Sequence, residues 1–200
     1  MGLRETAKLS KRRRIEGAAR VVFARKGFRG ATVREIATRA RVASGTIFLY
    51  AQDKQELLLM IVNDDLDKLT DARLPRTNGR ADLVDRLIAF YRPRYEYWAR
   101  NPEMSRDAMA EMAASHSRLE ARPESARGEA RRAKMATRLR QILSESKQTH
   151  RTERDADRDA VAKIVMSIYF TEVRLWLNDA IPNPETGLER LRRLFRVAVT

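Results

Sequence analysis

The residues best suited to contact another molecule form the run Ser44-Gly45-Thr46. Their side chains are small, so a helix that begins there can bring its backbone close to a partner, and the dipole at its N-terminus favours an anion such as phosphate. The hydroxyl and methyl groups of Thr46 suit a base edge or a thymine methyl group in the major groove of DNA. This run therefore suggests that the chain contacts nucleic acid.

Basic residues are concentrated in the same part of the chain. Residues 1–54 contain 14 Lys and Arg against 4 Asp and Glu, a net charge of +10, whereas residues 55–200 contain 27 against 23, a net charge of +4. A clustered charge attracts polyanions, and the asymmetry indicates a phosphate-binding module joined to a nearly neutral body. The alternative is a basic segment that only keeps the protein soluble.

Two helices are predicted before the run Ser44-Gly45-Thr46, and a third begins with it. The first carries an apolar stripe at helical spacing and should end at Gly27. Thr32, with Glu35 three residues later, has the signature of a capping box, which predicts a second helix of about two turns. A tight break at 40–42 and a third helix over 44–50 complete the outline of a helix-turn-helix. The stripe of the first helix consists of Ile15, Ala18, Ala19, Val22 and Phe23.

The remainder of the chain is also predicted to be helical. Asp53 is a good N-cap for a fourth helix that runs toward Leu69, and Asn101-Pro102 has the pattern of a helix start. The segment 74–79 combines Pro, Asn and Gly and is the clearest linker, while Pro93 should kink the helix that contains it. No alternation typical of strands occurs, so the predicted fold class is all-α. Further predicted helices occupy 81–100, 123–148, 155–178 and 185–199.

The two closing helices, about 155–178 and 185–199, allow two interpretations. Their apolar residues either close the core of one chain or pair with a second copy in a four-helix dimer interface. We favour the homodimer, because helix-turn-helix proteins usually match a two-fold operator with a two-fold protein.

The residue inventory argues against an enzyme. There is no Cys, which excludes disulfides, thiolate zinc sites and cysteine nucleophiles, and the His residues, His116 and His150, lie in polar segments. The sequence contains no nucleophile elbow, phosphate-cradling glycine loop or metal-ligand spacing, so no metal and no cofactor are expected. A signal peptide and a long apolar run are also lacking, and we expect a soluble, cytoplasmic protein without a membrane partner.

Three segments resemble the N-terminal signature of the tetracycline-repressor (TetR) family of bacterial regulators: Gly30–Ala37, Val42–Tyr50 and Lys54–Leu58. The sequence departs from the family pattern at Arg41, where a glycine is common, and at Phe48, where tyrosine is common. The resemblance implies a three-helix helix-turn-helix DNA-binding domain over residues 1–54. It implies a helical effector-binding and dimerisation domain over residues 55–200.

The resemblance also implies roles for individual residues. The start of the second helix should meet phosphate or a base edge, the third helix should enter the groove, and the residues after it should grip the DNA backbone. The basic run Lys11–Arg14 either reaches nearby phosphates or the minor groove or is an unspecific tail. The DNA-binding residues implied are Thr32, Arg34, Ser44, Gly45, Thr46, Phe48, Leu49, Tyr50 and Lys54.

The function that the resemblance implies is ligand-responsive repression of transcription. A dimer would bind a palindromic operator, and a small hydrophobic or aromatic effector would release it by changing the spacing of the two DNA-binding heads, with the helix from Asp53 to Leu69 carrying the motion. The alternative function is a non-specific architectural DNA-binding protein. The candidate effector-binding residues, each of which could instead be ordinary core, are Tyr91, Tyr95, Trp98, Met109, Met112, Met135, Met166, Tyr169 and Trp176.

Overall fold

The computed structural model describes residues 2–73, 81–115, 122–145 and 155–199, and these contain helices and no strand. The predicted linker at 74–79 and both His residues lie outside the described residues. The helices are α1 (Leu3–Gly30), α2 (Val33–Ala40), α3 (Ser44–Ile47), α4 (Lys54–Asp71), α5 (Leu83–Ala99), α6 (Pro102–Ser115), α7 (Pro123–Ser144), α8 (Asp155–Leu177) and α9 (Pro184–Val199).

The helix starts follow the capping residues of the sequence. Thr32 and Glu35 form the predicted capping box at α2. At the start of α4 the Asp53 carboxylate accepts from the backbone N–H of Glu56 at 2.7 Å, and at α6 the Asn101 side chain accepts from the N–H of Met104 at 3.2 Å. These bonds satisfy backbone donors that a first helical turn would otherwise leave without partners.

The chain divides into two compact units. The first contains Met1–Asp65 and Asp107–Gly128, and the second contains Leu66–Arg106 and Glu129–Thr200. The predicted boundary at residue 54 concerns a division of function and stays a prediction.

The core of the first unit lies among α1, α2 and α3. Ile15, Phe23, Ile36 and Ile47 are each at most 1% exposed, so the predicted stripe of α1 is the buried face. The regular helix of α1 is interrupted at Gly27, whose φ of 69° lies in the left-handed region that favours glycine. The helix that was predicted to end at Gly27 is therefore interrupted there but extends to Gly30.

The beginning of α7 packs within the same unit. Asn63 on α4 is 1% exposed, and its amide donates to the backbone carbonyl and to the carboxylate of Glu124, each at 2.8 Å. The carboxylate of Asp64 pairs with the Arg127 guanidinium at 2.5 Å, and Arg12 on α1 lies 3.6 Å from Glu124. This polar cluster joins α1, α4 and α7.

Aromatic side chains fill the second unit, where α5 packs on α8 and α9. Gly187 on α9 lies close to the rings of both Tyr95 and Trp176. A β-carbon at this position would lie 2.9 Å from Cδ1 of Trp176, which is too close for an ordinary contact. Pro93 lies inside α5, and the helix continues past it to Ala99. The large side chains buried in this core are Tyr91, Tyr95, Trp98, Tyr169, Trp176 and Phe195.

Candidate nucleic-acid interface

The turn between α2 and α3 is made by a left-handed residue. Arg41 has φ 55° and ψ 51°, and its N–H donates to the carbonyl of Thr38 at 3.1 Å. The N–H of Val42 then donates to the carbonyl of Ala37 at 3.0 Å, which reverses the chain before Ser44. A non-glycine residue in this conformation costs about 1 kcal/mol, so Arg41 occupies the position at a cost that glycine would avoid.

The third helix is shorter than predicted. It ends at Ile47, because the N–H groups of Leu49 and Tyr50 donate to carbonyls three residues back, at 3.3 and 2.9 Å, and these bonds wind residues 48–50 into a tighter turn. The side chain of Ile47 is 1% exposed and anchors the helix in the core.

The outer side of α3 and of its following turn faces solvent. Ser44 and Gly45 are exposed and Thr46 is half-buried. Phe48 is 53% exposed and Leu49 is 78% exposed. Two adjacent large apolar side chains without cover in the first unit suggest a contact surface.

Other predicted DNA-binding residues are engaged within the protein. The Thr32 hydroxyl accepts from the N–H of Glu35 at 3.3 Å and donates to its carboxylate at 3.0 Å, while Arg34 is exposed beside it. The Lys54 ammonium donates to the carbonyls of Arg29 and Ala31 at 3.1 and 3.0 Å. Lys54 therefore ties the end of α1 to the start of α4, which sequence reasoning did not foresee.

The N-terminal part of α1 extends the basic surface. The helix begins at Leu3, so the run Lys11–Arg14 is helical. Three exposed residues, Arg4, Lys8 and Lys11, form what we call the α1 basic face. By helical spacing they lie on the same side of α1 as Ile15, which is buried further along the helix. The Tyr50 hydroxyl donates to the carbonyl of Lys8 at 3.5 Å, so this face lies beside the turn after α3.

The residues of the run Lys11–Arg14 have different partners. Arg12 pairs with Glu16 at 2.7 Å and with Asp64 at 3.3 Å, so its charge is used within the protein. Arg14 donates to the carbonyl of Arg41 at 3.3 Å, next to a shallow open depression of about 520 Å³. Sequence reasoning missed this depression, although its cations, Arg14, Arg39 and Arg41, lie at exposed positions around the helix-turn-helix. The residues that line it are Arg14, Gly17, Ala18, Val21, Arg39, Ala40 and Arg41.

Most of the candidate effector-binding residues form one cluster in the second unit. The rings of Tyr91 and Tyr169 stack with centroids 4.4 Å apart, and those of Tyr95 and Trp176 lie 4.7 Å apart. The indole N–H of Trp98 donates to the Tyr169 hydroxyl at 3.0 Å. In the same unit Met135 is buried and Met166 is half-buried, whereas Met109 and Met112 are buried in the first unit.

Two hydroxyls of this cluster have no hydrogen-bond partner among the described residues, those of Tyr91 and Tyr95, although both are buried. Burial raises the pKa of Tyr91, of Tyr95 and of Tyr169 above the ordinary value, so all of them remain protonated. They are hydrogen-bond donors in a dry environment. Within the described ranges no group of His, Cys, Asp and Glu is arranged to hold a metal ion.

The last two helices have apolar residues on two faces. One face of α9 is buried in the second unit, whereas Val197 is 84% exposed and Leu194 is 42% exposed. On α8 the exposed residues Ile164 and Leu175, 47% and 57% exposed, share one stripe because they are eleven residues apart.

No described helix is both long and apolar enough to cross a membrane.

Comparison with known proteins agrees with this architecture. Residues 15–61, from α1 into α4, match the family described as bacterial regulatory proteins, tetR family. No curated protein sequence matches the chain. Residues 1–54, which we call the head, thus contain a helix-turn-helix of the kind found in bacterial regulatory proteins. Residues 15–61 therefore match the tetR family, as the resemblance in the sequence predicted.

Solved structures share the fold of nearly the whole chain. FadR from Bacillus subtilis, in complex with stearoyl-CoA, is 19% identical with a TM-score of 0.67, over 94% of this chain and 98% of that one. The Thermus thermophilus repressor FadR, in complex with lauroyl-CoA, is 21% identical with a TM-score of 0.62, over 94% and 95%. A tetR-family regulator from Streptomyces coelicolor is 20% identical with a TM-score of 0.68, over 99% and 82%. The predicted all-α fold class is confirmed.

Proposed function

We propose that this regulator is a repressor that binds a palindromic operator as a homodimer and leaves it when a small hydrophobic or aromatic effector binds. In this proposal residues 1–54 bind DNA in the cytoplasm, and residues 55–200 bind the effector and form the dimer. The observation that carries the proposal is the solvent-facing α3, with Phe48 and Leu49 exposed, on a head of net charge +10.

The exposed side of α3 would read the sequence. Ser44 and Gly45 present little side-chain bulk, so the helix can approach the base pairs, and Thr46 is the candidate for a base contact. Phe48 and Leu49 offer apolar contact to thymine methyl groups or to the groove wall.

Phosphate contacts would supply most of the affinity. Arg34 beside the start of α2, the cations of the depression and the α1 basic face are exposed around the same head. Such contacts position the protein and carry little sequence information. We assign Thr32, Tyr50 and Lys54 to holding the head in shape as well as to the DNA backbone, because each is bonded within the first unit.

The exposed apolar stripes of α8 and α9 support the homodimer. Side chains such as Leu175 and Val197 would be buried if the helices paired with those of a second copy, and their burial would favour association. A two-fold dimer can then place its two heads in successive major grooves about 34 Å apart.

The aromatic cluster of the second unit supports an apolar or aromatic effector. Tyr169 contacts both Tyr91 and Trp98, and aromatic rings with few polar groups are typical of small-molecule sites. FadR from Bacillus subtilis and from Thermus thermophilus hold acyl-CoA molecules, which is consistent with an apolar effector here.

Selection of bound duplexes from a random pool tests the proposal. A repressor enriches a palindrome whose half-sites are about one helical turn apart, whereas an architectural protein leaves the pool flat. The variant Leu49→Ala is a suitable probe because its side chain is 78% exposed and contributes little to folding. It should keep binding to random DNA and lose enrichment of the palindrome; a flat pool with the unmodified protein would contradict the proposal.

A further inference from the structure

A charged side chain is buried in the core of the second unit. Arg94 on α5 is 2% exposed. Its guanidinium donates to the carbonyl of Phe90 at 2.8 Å and to the hydroxyl of Thr70 at 3.1 Å. Both partners are neutral oxygens, and among the described residues no carboxylate pairs with Arg94.

An unpaired buried charge is unfavourable, and proteins usually pair it, expose it or use it. Burial lowers the pKa of Arg94, but a guanidinium stays protonated in proteins. The guanidinium lies over the ring of Phe90, 4.2 Å from its centroid, and 6.0 Å from the centroid of Tyr91. Arg94 therefore presents a fixed positive charge to an aromatic surface.

Two arginines of α7 add to this charge. Arg131 is 4% exposed, pairs with Asp67 at 3.4 Å, and lies close enough to Arg94 to contribute to lowering its pKa. Arg132 lies over the ring of Phe170, 5.5 Å from its centroid. The rings of Phe170 and Tyr169 are 5.1 Å apart, so the same aromatic cluster meets positive charge from both α5 and α7.

The cluster also holds unused hydrogen-bond donors. The hydroxyls of Tyr91 and Tyr95 are buried without a partner among the described residues, and Tyr91 stacks on Tyr169. A guanidinium and phenolic hydroxyls are donors that suit a carboxylate, while the ring faces suit an apolar body.

We propose that Arg94, with Tyr91, binds the carboxylate of the effector, and that the effector is a small organic acid with an apolar or aromatic body. This inference rests on the proposed function, because it names the chemistry of the ligand that the second unit receives. Binding of the acid gives the Arg94 guanidinium a counter-charge that none of the described residues supplies.

The two tryptophans of the chain provide the readout, because Trp98 and Trp176 both belong to the cluster. Octanoate is titrated against 1-octanol, and 4-phenylbutyrate against 4-phenyl-1-butanol, with tryptophan fluorescence as the signal. Each acid should bind at least about tenfold more tightly than its alcohol, as a charge-assisted hydrogen bond in a dry site implies.

The variant Arg94→Met should remove this preference for the acid and leave the affinity for the alcohol unchanged. It should also raise the melting temperature, because it removes a buried charge that has no counter-charge among the described residues. The Thr70 hydroxyl still has a partner in the variant, since it donates to the carbonyl of Leu66 at 2.8 Å. An arginine with a purely structural role would instead lower the melting temperature when replaced. Arg92→Met is the matched control, since Arg92 pairs with Glu185 on the surface, and it should keep the preference for the acid.

Acids that bind no better than their alcohols, or that do not bind, overturn the inference, and so does an Arg94→Met variant that retains the preference. If Arg94→Met does not fold, Arg94→Lys serves instead: it keeps the charge and should keep only part of the preference, whereas an unchanged preference contradicts a specific role of the guanidinium group. Failure here with a palindrome still selected from random DNA leaves the repressor proposal standing. Binding of the acids together with a flat DNA pool would instead support the acid-binding site and contradict the repressor proposal.

Discussion

The Tyr50 hydroxyl donates a hydrogen bond to the backbone carbonyl of Lys8 at 3.5 Å. This bond brings the turn after α3 next to the first turns of α1, on which Arg4, Lys8 and Lys11 are exposed. The basic surface of the head therefore continues from α3 along α1, and DNA bound to one would lie close to the other.

Removing charge from the α1 basic face should weaken binding to every DNA sequence alike. For the double variant Lys8→Gln, Lys11→Gln, the slope of log affinity against log salt concentration should fall by about one for each phosphate that the protein no longer neutralises. Titrations of operator and random duplexes at several salt concentrations measure this. Arg193→Gln on α9, an exposed arginine of the second unit, is the control; an equal effect there would show that overall charge alone matters.

Thr46→Ala should act on specificity. The side chain is half-buried at the solvent-facing side of α3, and removing its bond to a base costs about 1 kcal/mol or more of preference for the operator. Affinities for operator and scrambled duplexes, compared by fluorescence anisotropy, give this preference. Equal weakening on both duplexes would remove Thr46 from the set of base-reading residues.

Lys54→Met should destabilise the head, because two carbonyls, those of Arg29 and Ala31, lose a charged donor. The free energy of unfolding should fall by about 1–3 kcal/mol, and binding to all sequences should weaken. Denaturant unfolding and DNA titration measure the two effects. If Lys54 also grips a phosphate through its remaining N–H, the salt slope falls by about one; an unchanged slope would contradict that role.

Arg41→Gly should stabilise the fold by up to about 1 kcal/mol, because glycine adopts the left-handed conformation without a steric cost. The matched control is Arg39→Gly, which places glycine inside α2 and should destabilise by about 1 kcal/mol. Both variants lose one exposed cation of the same depression, so their DNA affinities should fall together while their stabilities move apart. Thermal unfolding that moves in the same direction for both would contradict the strain at Arg41.

Val197→Asp should break the proposed homodimer without unfolding the chain, because the Val197 side chain is 84% exposed. A charge placed in a paired apolar stripe is desolvated without a partner, and this opposes association. Sedimentation should show a shift from dimer to monomer. Lys163→Asp, at an exposed position of α8 off the apolar stripe, should stay dimeric, and a monomeric unmodified protein would contradict the interface.

Local sequence signals predicted much of this structure. Thr32 and Asp53 bond to nearby backbone groups, so their roles as caps could be recognised from residue types and spacing alone. The stripe that predicts α1 begins only at Ile15, whereas the helix begins at Leu3, because Arg4, Lys8 and Lys11 occupy the same face before Ile15. Helix propensity without an apolar pattern gave no sequence signal there.

Long-range packing was beyond such signals. Asn63 and Glu124 are 61 residues apart, and nothing in their local patterns pairs them. The buried Arg94 was missed for a similar reason: Arg92 and Glu96 lie two residues away on either side, and an arginine between such charged residues is expected at the surface. The candidate effector residues were chosen for being aromatic or Met, which omitted the charged member of the cluster.

The bonds from Asn63 to Glu124 bear on whether the head can fold when it is separated from the rest of the chain. A fragment that stops at residue 65 would remove both bonds from the buried Asn63 amide to Glu124, and the ion pair between Asp53 and Arg122. Chimeras that graft this head onto another regulator should therefore fold well only when the segment Asp107–Gly128 is transplanted with it.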